Sequence, residues 1–240
     1  MMSALMAAAS PAAAQETNGW EWTIAPYLLA PHMSGEAAIN GNLAEVDAGP
    51  GDIFDKLDFA AMIYIETANK DWAVIVDGIY MNLGETGQTP ITGRAIEFDM
   101  KQFVLETTAL RRVASWAEIG LGGRLVNVDA GLDIVPGEVL PGTLVAETNT
   151  WFDPFLAARL SVPLEGRLRL GVRGDFGGFG IGSDYAWQVY PVVGYRFTRV
   201  FELAFAYRAL GMKYEKGSGD TLFLYDLVTY GPELGFLLHF

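Results

Sequence analysis

Residues 230–240 read YGPELGFLLHF, and this stretch decides the fold. Every second residue from position 234 onward is large and apolar, namely Leu234, Phe236, Leu238 and Phe240. The opposite face carries Glu233 and His239. Alternation with a period of two is the pattern of a β-strand with one apolar face. A strand of this kind that ends on an aromatic residue is typical of a closed β-barrel in a membrane.

The composition suits an exported β protein. The 240 residues include no Cys, which excludes disulfides, thiolate catalysis and Cys-ligated metal sites and fits an oxidising periplasm. The 28 Gly, 14 Phe, 10 Tyr and 6 Trp indicate many strands and turns rather than helices. The formal net charge of −13 argues against a nucleic-acid partner, because no basic patch is available to bind phosphates.

The N-terminal residues differ in character from the rest. Residues 1–14 form the longest apolar stretch and end in Ala12, Ala13 and Ala14, which resembles the small-residue end of a secretory signal. We therefore expect a signal-peptide remnant at 1–14 and a single barrel domain at 15–240. Beyond this stretch no run of about 18 uncharged apolar residues occurs, so a helical membrane span is not expected.

Period-two alternation divides the remaining chain into ten segments, each near or above the roughly 9–11 residues that a tilted membrane strand needs. The segments are 20–39, 57–69, 71–84, 94–111, 115–129, 150–162, 166–177, 183–198, 200–214 and 222–240.

The connections after the even-numbered segments are short, whereas residues 41–56 and 130–149 form long ones. Short periplasmic turns and long outer loops are how outer-membrane barrels are built. The sequence thus predicts an all-β fold, an antiparallel transmembrane β-barrel of about ten strands. Eight or twelve strands remain as alternatives, because residues 41–49 and 221–226 can each form an extra short strand. A soluble sandwich or lipocalin-like barrel is the competing fold, because periodicity does not fix which face is outside.

The face opposite the apolar one is charged in all parts of the chain. In residues 167–176, Leu168, Leu170, Val172 and Phe176 are expected to face lipid and the intervening residues to face the lumen. The same rule predicts a lumen charge network with an acidic and a basic wall, made of Glu21, Glu66, Asp77, Glu106, Glu118, Arg124, Arg159, Arg167, Arg169, Arg173, Arg196 and Arg208. Such charges either pair and close the lumen, or line a small polar pore.

Aromatic and loop residues give further expectations. Trp20, Trp22, Trp72 and Trp116 are predicted at the periplasmic ends of their strands, and Trp151 and Trp187 at the outer ends, because indole rings favour the headgroup level. Residues 51–57 are predicted to form one helical turn that caps the barrel mouth.

Catalytic signals are scarce. The chain has two His, His32 near Ser34 in the first strand and His239 at the opposite end, and no triad can be assembled from them. We therefore expect no enzyme activity, no catalytic residues, no metal site and no cofactor. Acidic outer loops leave a surface binding or adhesion module as the alternative function, and a lipid-acting enzyme that uses His32 as a less favoured one.

Several motifs along the chain carry a family resemblance. They are Trp22 with 25–27, 50–53, 57–60, 77–81, 177–180, 187–188, 194–197, 206–208 and 231–232. With them the chain resembles an uncharacterised proteobacterial outer-membrane β-barrel protein family.

The resemblance implies an outer-membrane location after export through the periplasm, and contacts with outer-membrane lipid and lipopolysaccharide. It also implies that the barrel-insertion machinery recognises a C-terminal signal formed by Leu234, Phe236, Leu238 and Phe240. It brings no catalytic residues. The expected function is a structural or small-solute pore protein, and the oligomeric state is left open.

Overall fold

The computed structural model describes residues 19–88, 95–134, 143–163 and 166–240. The expected signal remnant at 1–14 lies outside this part of the chain. The strands in the described residues are β1 (Glu21–Leu29), β2 (His32–Ile39), β3 (Asn42–Ala48), β4 (Leu57–Ala68), β5 (Trp72–Gln88), β6 (Ala95–Ala114), β7 (Ala117–Ile134), β8 (Thr143–Pro163), β9 (Leu168–Gly177), β10 (Tyr185–Arg196), β11 (Phe201–Lys216) and β12 (Phe223–His239). A short helix, α1 (Pro50–Asp55), precedes β4, and a 3-10 turn (Gly219–Thr221) precedes β12.

Ten of these strands close into an antiparallel barrel. Each of β4 to β11 pairs with the next strand along the chain, and β1 pairs with both β4 and β12. Ile24, for example, lies opposite Ile65 on one side and Leu238 on the other. The predicted ten-stranded barrel is thus confirmed. Strand β3 is the extra short strand that the sequence left open at 41–49, whereas residues 223–226 belong to β12 and form no strand of their own.

The two ends of the barrel differ, as predicted. At one end, called the turn end here, lie the short connections 69–71, 115–116 and 197–200 and the turn residues 166–167, together with Trp20 and Phe240. Side chains fix two of these turns: Asn69 Oδ1 accepts the backbone N–H of Asp71 and Trp72 at 2.9 and 2.8 Å, and Thr198 Oγ1 accepts that of Phe201 at 2.9 Å. The other end is the loop end. Short turns are periplasmic in such barrels.

Two predicted boundaries are corrected. The segment 20–39 is broken at Ala30 and Pro31, because Pro31 has no N–H for a ladder, and it becomes β1 and β2. A tight turn at Asn40 and Gly41, with φ of 47° and 76°, then reverses the chain into β3. The expected long loop at 130–149 is shorter, since β7 continues to Ile134 and β8 begins at Thr143.

The barrel wall is interrupted near the loop end, beside α1. The ladder between β1 and β4 ends at Pro26 and Ile63. Beyond that point, in the described structure, β4 pairs with β5 alone and β3 pairs with β2 alone. The predicted helical turn is present as α1, where Asp52 accepts the backbone N–H of Gly49 at 2.9 Å. Ile53 is buried and points into the barrel mouth.

The outer face of the barrel is apolar and the inner face is polar over the central part of the strands. Leu121, Leu156 and Phe205 are 64%, 64% and 58% exposed on the outside, whereas Glu106 and Arg124 are 2% and 0% exposed inside. This arrangement is the reverse of a soluble protein and fits a barrel surrounded by lipid. The chain is therefore an outer-membrane β-barrel. In the described ranges no helix is both long and apolar enough to cross a bilayer.

The aromatic positions agree with the prediction, with one correction. Trp20, Trp22, Trp72 and Trp116 are all exposed at the turn end, and Trp187 lies at the loop end. Trp151, however, points inward. Its ring stacks on Tyr214 at 4.3 Å, and its indole N–H donates to Asp153 at 3.2 Å. Trp151 is therefore buried inside the barrel with a polar partner for its N–H, and not at the membrane interface where it was expected.

Candidate functional site in the barrel lumen

A central ion-pair cluster joins β6, β7 and β9. Arg124 is fully buried and donates from Nε to Glu106 at 2.7 Å and from Nη2 to Asp175 at 2.7 Å. Arg173 donates to Glu106 at 3.1 Å and to the hydroxyl of Thr108 at 2.9 Å. The pairing register explains the first contact, because Glu106 lies directly opposite Arg124 in the ladder. Two cations therefore meet two carboxylates inside the barrel.

A second cluster spans the lumen between distant strands. Arg208 on β11 donates to Asp77 on β5 at 2.7 Å and to Glu233 on β12 at 3.1 Å. The hydroxyl of Tyr27 donates to Asp77 at 2.6 Å. The Arg208 guanidinium also lies over the rings of Tyr27 and Tyr190, 5.3 and 4.9 Å from their centres. Since β5 and β11 lie on different sides of the closed sheet, this contact crosses the lumen.

Gln188 connects the two clusters. Its amide nitrogen donates to Glu106 at 3.2 Å and to Asp175 at 3.0 Å, and its oxygen accepts Arg208 at 3.4 Å. The side chain is 2% exposed. The result is one continuous network, which we call the central polar network: Asp77, Glu106, Arg124, Arg173, Asp175, Gln188, Arg208 and Glu233. A network in which buried charges are paired and hydrogen-bonded is the arrangement that a low-dielectric interior tolerates.

Two further ion-pair groups lie nearer the turn end. Arg159 holds Glu66 with both terminal nitrogens, at 2.8 and 2.9 Å, and donates from Nε to Glu118, which also accepts Arg112 at 3.1 Å. Tyr64 donates to Glu66 as well.

The second group lies at the turn end, where Glu202 of β11 is contacted by side chains of β9, β10 and β12. Arg169 lies 2.6 Å from it, Arg196 3.3 Å and His239 3.2 Å. The imidazole of His239 lies 3.0 Å from the hydroxyl of Thr23. Glu202 is 1% exposed, and the two arginines compensate its carboxylate.

Most of the predicted lumen residues meet in these pairs. The structure places ten of the twelve in ion pairs with inward-facing partners: Glu66, Asp77, Glu106, Glu118, Arg124, Arg159, Arg169, Arg173, Arg196 and Arg208. The expected acidic and basic walls thus contact each other directly.

The two other predicted lumen residues lie outside these ion-pair groups. Arg167 is corrected, because it is exposed in the turn before β9, which begins only at Leu168. Glu21, the first residue of β1, is exposed at the turn-end mouth of the lumen and lines the cavity at that end.

Sequence reasoning missed Gln188 of the central polar network and Tyr190 beside it, because neither side chain is charged at neutral pH. Glu233 was not missed, since the alternation of the last strand places it on the polar face, where it accepts Arg208 at 3.1 Å. Asp153 was also missed. It accepts the backbone N–H and hydroxyl of Ser183 at 2.6 and 2.8 Å, which fixes the loop between β9 and β10. Alternation with Phe155 and Ala157 on β8 was the available signal.

The central polar network separates two cavities of different chemistry. A turn-end cavity of about 280 Å³ has Asp77, Arg173, Gln188 and Arg208 of the network in its lining. A loop-end cavity of about 460 Å³ is lined by none of the network residues and is largely apolar. The next inward positions toward the loop end are apolar, for example Val104 after Glu106, and pack in the core cluster at that end.

The two histidines lie at opposite ends of the barrel, His239 beside Thr23 and Glu202, and His32 beside Asp47. His32 Nε2 lies 2.8 Å from Asp47, and its ring stacks on Tyr230 at 4.8 Å. No hydrogen bond joins His32 to Ser34 within the described ranges. The contact between His32 and Asp47 instead links β2 to β3. The part of the chain that the structure describes has no group of three His, Cys, Asp or Glu that could hold a metal ion.

Comparison with known proteins identifies no family for the chain. No family model matches the chain, and no curated protein is significantly similar to it in sequence. The solved structures that are similar include the outer-membrane protease OmpT of Escherichia coli, with 12% identity, a TM-score of 0.49, and coverage of 96% of this chain and 100% of that one.

Two further solved structures are similar in the same way. Ail, the attachment invasion locus protein of Yersinia pestis, has 10% identity and a TM-score of 0.40 over 93% of this chain and 100% of its own. Neisserial surface protein A has 13% identity and a TM-score of 0.36 over 92% and 98%. These proteins differ in function, and identity this low says nothing about the activity of this chain. The specific family resemblance stays a prediction.

Proposed function

We propose that the protein is a structural outer-membrane barrel whose lumen is closed to solutes by the central polar network. The observation that carries this proposal is the bridge from Arg208 to Asp77 across the lumen, joined through Gln188 to the cluster around Arg124. Buried charges that have lost their partners are strongly unfavourable, so a network of this kind resists opening.

The burial of the charges favours closure over conduction. Arg124, Glu106, Asp77 and Arg208 are 0%, 2%, 3% and 4% exposed. A pore that selects by charge instead needs its charged groups in contact with a water-filled path. The interior of an eight-stranded barrel is just wide enough for side chains to fill, so in this slightly wider barrel of ten strands a layer of long paired side chains is enough to close the lumen.

Planar-bilayer conductance of the refolded barrel tests the proposal. We expect wild type to insert without conductance steps, and Arg173→Ala with Arg208→Ala to conduct, because both bridges to Glu106 and Asp77 are then lost. The matched control removes two arginines outside the lumen, Arg111→Ala with Arg199→Ala, and should stay silent. Reproducible wild-type steps whose ion selectivity changes in the lumen variant would instead establish a small-solute pore.

A surface binding module is the second candidate, and one observation favours it. Asp226, Glu36 and Glu45 lie directly opposite one another on β12, β2 and β3. Lys213 lies opposite Asp226 on β11 and 3.5 Å from it, which compensates that end of the row. Like charges at directly paired positions destabilise a sheet, so Glu36 and Glu45 suit a cationic partner or divalent cations shared with lipopolysaccharide phosphates. Glu36→Gln with Glu45→Gln should then abolish adhesion to a lipopolysaccharide-coated surface, whereas the lumen variants should leave it unchanged.

The remaining expectations also stay proposals. We propose contacts with outer-membrane lipid and lipopolysaccharide around the apolar face, and delivery by the barrel-insertion machinery through the C-terminal strand. We also propose that the protein has no enzyme activity, supported by the pairing of His32 with Asp47. If refolded wild type hydrolysed or transferred acyl chains of a lipid substrate and His32→Ala lost that turnover, this last proposal would fail.

A further inference from the structure

The loop-end cavity is enclosed by strands from both sides of the interruption in the barrel wall. Strands β2, β3, β5, β6, β7 and β12 and the helix α1 all contribute to its lining. The side chains that shape it are small or flexible and apolar, among them Met33, Ala38, Val46, Ile53 and Met100.

The polar groups of the described lining are few. They are Asn42, Asp52, Lys56 and the hydroxyl of Tyr225, which accepts the side-chain amide of Gln102 at 2.8 Å. A sugar or an ion would lose its hydration in such a cavity without gaining equivalent hydrogen bonds, whereas an apolar ligand gains by leaving water. Met33 and Met100 adapt readily to the shape of a bound chain.

The size of the cavity exceeds what side-chain packing leaves behind. Native interiors have few voids larger than a water molecule, and a volume of about 460 Å³ falls in the range of ligand pockets. It is about three times the roughly 150 Å³ of an apolar cavity that binds one benzene. By the same ratio it accepts an apolar ligand of roughly 12–18 carbon atoms.

The interruption of the barrel wall offers a route from the lipid bilayer into the loop-end cavity that does not pass through water. Near the loop end β3 has a free edge in the described structure, and α1 lies between it and β4. Leu28 and Phe59, on the two strands that separate there, are 68% and 57% exposed on the lipid side. Ile53 of α1 and Val46 of β3 line the cavity itself. A single short helix and an edge strand thus separate the cavity from the lipid-facing surface.

We propose that the loop-end cavity binds one hydrocarbon chain of an acyl amphiphile, with the head group at the rim beside Asn42, Asp52 and Lys56. The chain enters from the bilayer past β3 and α1. This site does not depend on the closed lumen, because the central polar network lies outside its lining. The acyl chain belongs either to a free fatty acid or alcohol or to a membrane lipid, and the two sources are separated by experiment.

Equilibrium binding to the folded barrel in lipid nanodiscs tests the site, with radiolabelled dodecanoic acid and dodecan-1-ol as probes. We expect saturable binding of one molecule per barrel. Ala130→Trp, which fills the cavity from β7, should weaken binding at least about tenfold, whereas Ala61→Trp on the outer face of β4 should change it less than about twofold. No saturable binding to folded wild type, or equal binding by Ala130→Trp, overturns the proposal.

A second measurement does not depend on how well the Trp variant folds. The chain has no Cys, so Val46→Cys gives one thiol on the cavity wall. Dodecan-1-ol should slow its reaction with a maleimide, and an unchanged rate contradicts the site. Native mass spectrometry of protein purified from membranes separates the sources: a retained fatty acid or alcohol indicates a free ligand, and a retained phospholipid or lipid A indicates a membrane lipid.

Discussion

Arg124→Met removes the most deeply buried cation of the central polar network. Arg124, Arg173, Glu106 and Asp175 together carry no net charge, and the variant leaves one carboxylate in excess at a site that is 0–7% exposed. Two charge-assisted hydrogen bonds of 2.7 Å are lost, although Gln188 still donates to both carboxylates. Breaking a buried pair on one side costs about 3–5 kcal/mol, and we expect the free energy of unfolding to fall by that amount.

Urea unfolding of the barrel in lipid vesicles, followed by tryptophan fluorescence, measures the change. Arg196→Met is the control, because that side chain is 49% exposed and contacts Glu202 at 3.3 Å, and the loss there should be under about 1 kcal/mol. Arg124→Met with Asp175→Asn restores neutrality and should recover part of the lost stability. A loss below about 1 kcal/mol for Arg124→Met itself would refute the idea that the network holds the lumen closed.

The remaining predictions concern folding. A Cβ on Gly231 would lie 2.1 Å from the carbonyl oxygen of Ala30, so Gly231→Ala should reduce the folded fraction measured by heat-modifiable gel mobility. Gly235→Ala is the control, because the nearest atom to a Cβ there is 3.4 Å away, and it should leave the folded fraction unchanged. Equal folded fractions of the two variants would contradict this prediction. Phe240→Ala should slow assembly assisted by the insertion machinery without slowing unassisted refolding in vesicles, and a similar slowing of both would remove the signal role of this aromatic.

Much of the barrel could be predicted from the sequence, because alternation and short turns are local. Asn69 and Thr198 each lie in a short connection that the sequence identifies. The break at Pro31 was visible as a residue, but the hairpin of β2 and β3 beyond it depends on pairing with β12, which is distant in the chain.

The partners inside the lumen could not be predicted, since they depend on the stagger of the whole barrel. Arg208 and Asp77 are 131 residues apart and meet only after closure. Arg167 was misplaced for a local reason, because alternation alone does not say where a strand begins. Trp151 was misplaced because an aromatic residue near a strand end suits either the membrane interface or a buried polar partner.

We propose that the central polar network divides the lumen into two compartments, each open to one side of the membrane. Single thiols in the otherwise Cys-free chain test it: Ala204→Cys lines the turn-end cavity and Ala130→Cys the loop-end cavity. In oriented proteoliposomes, we expect a small membrane-impermeant thiol reagent to label Ala204→Cys from the turn side alone and Ala130→Cys from the loop side alone. Labelling of either thiol from both sides, or of neither from any side, would contradict the account.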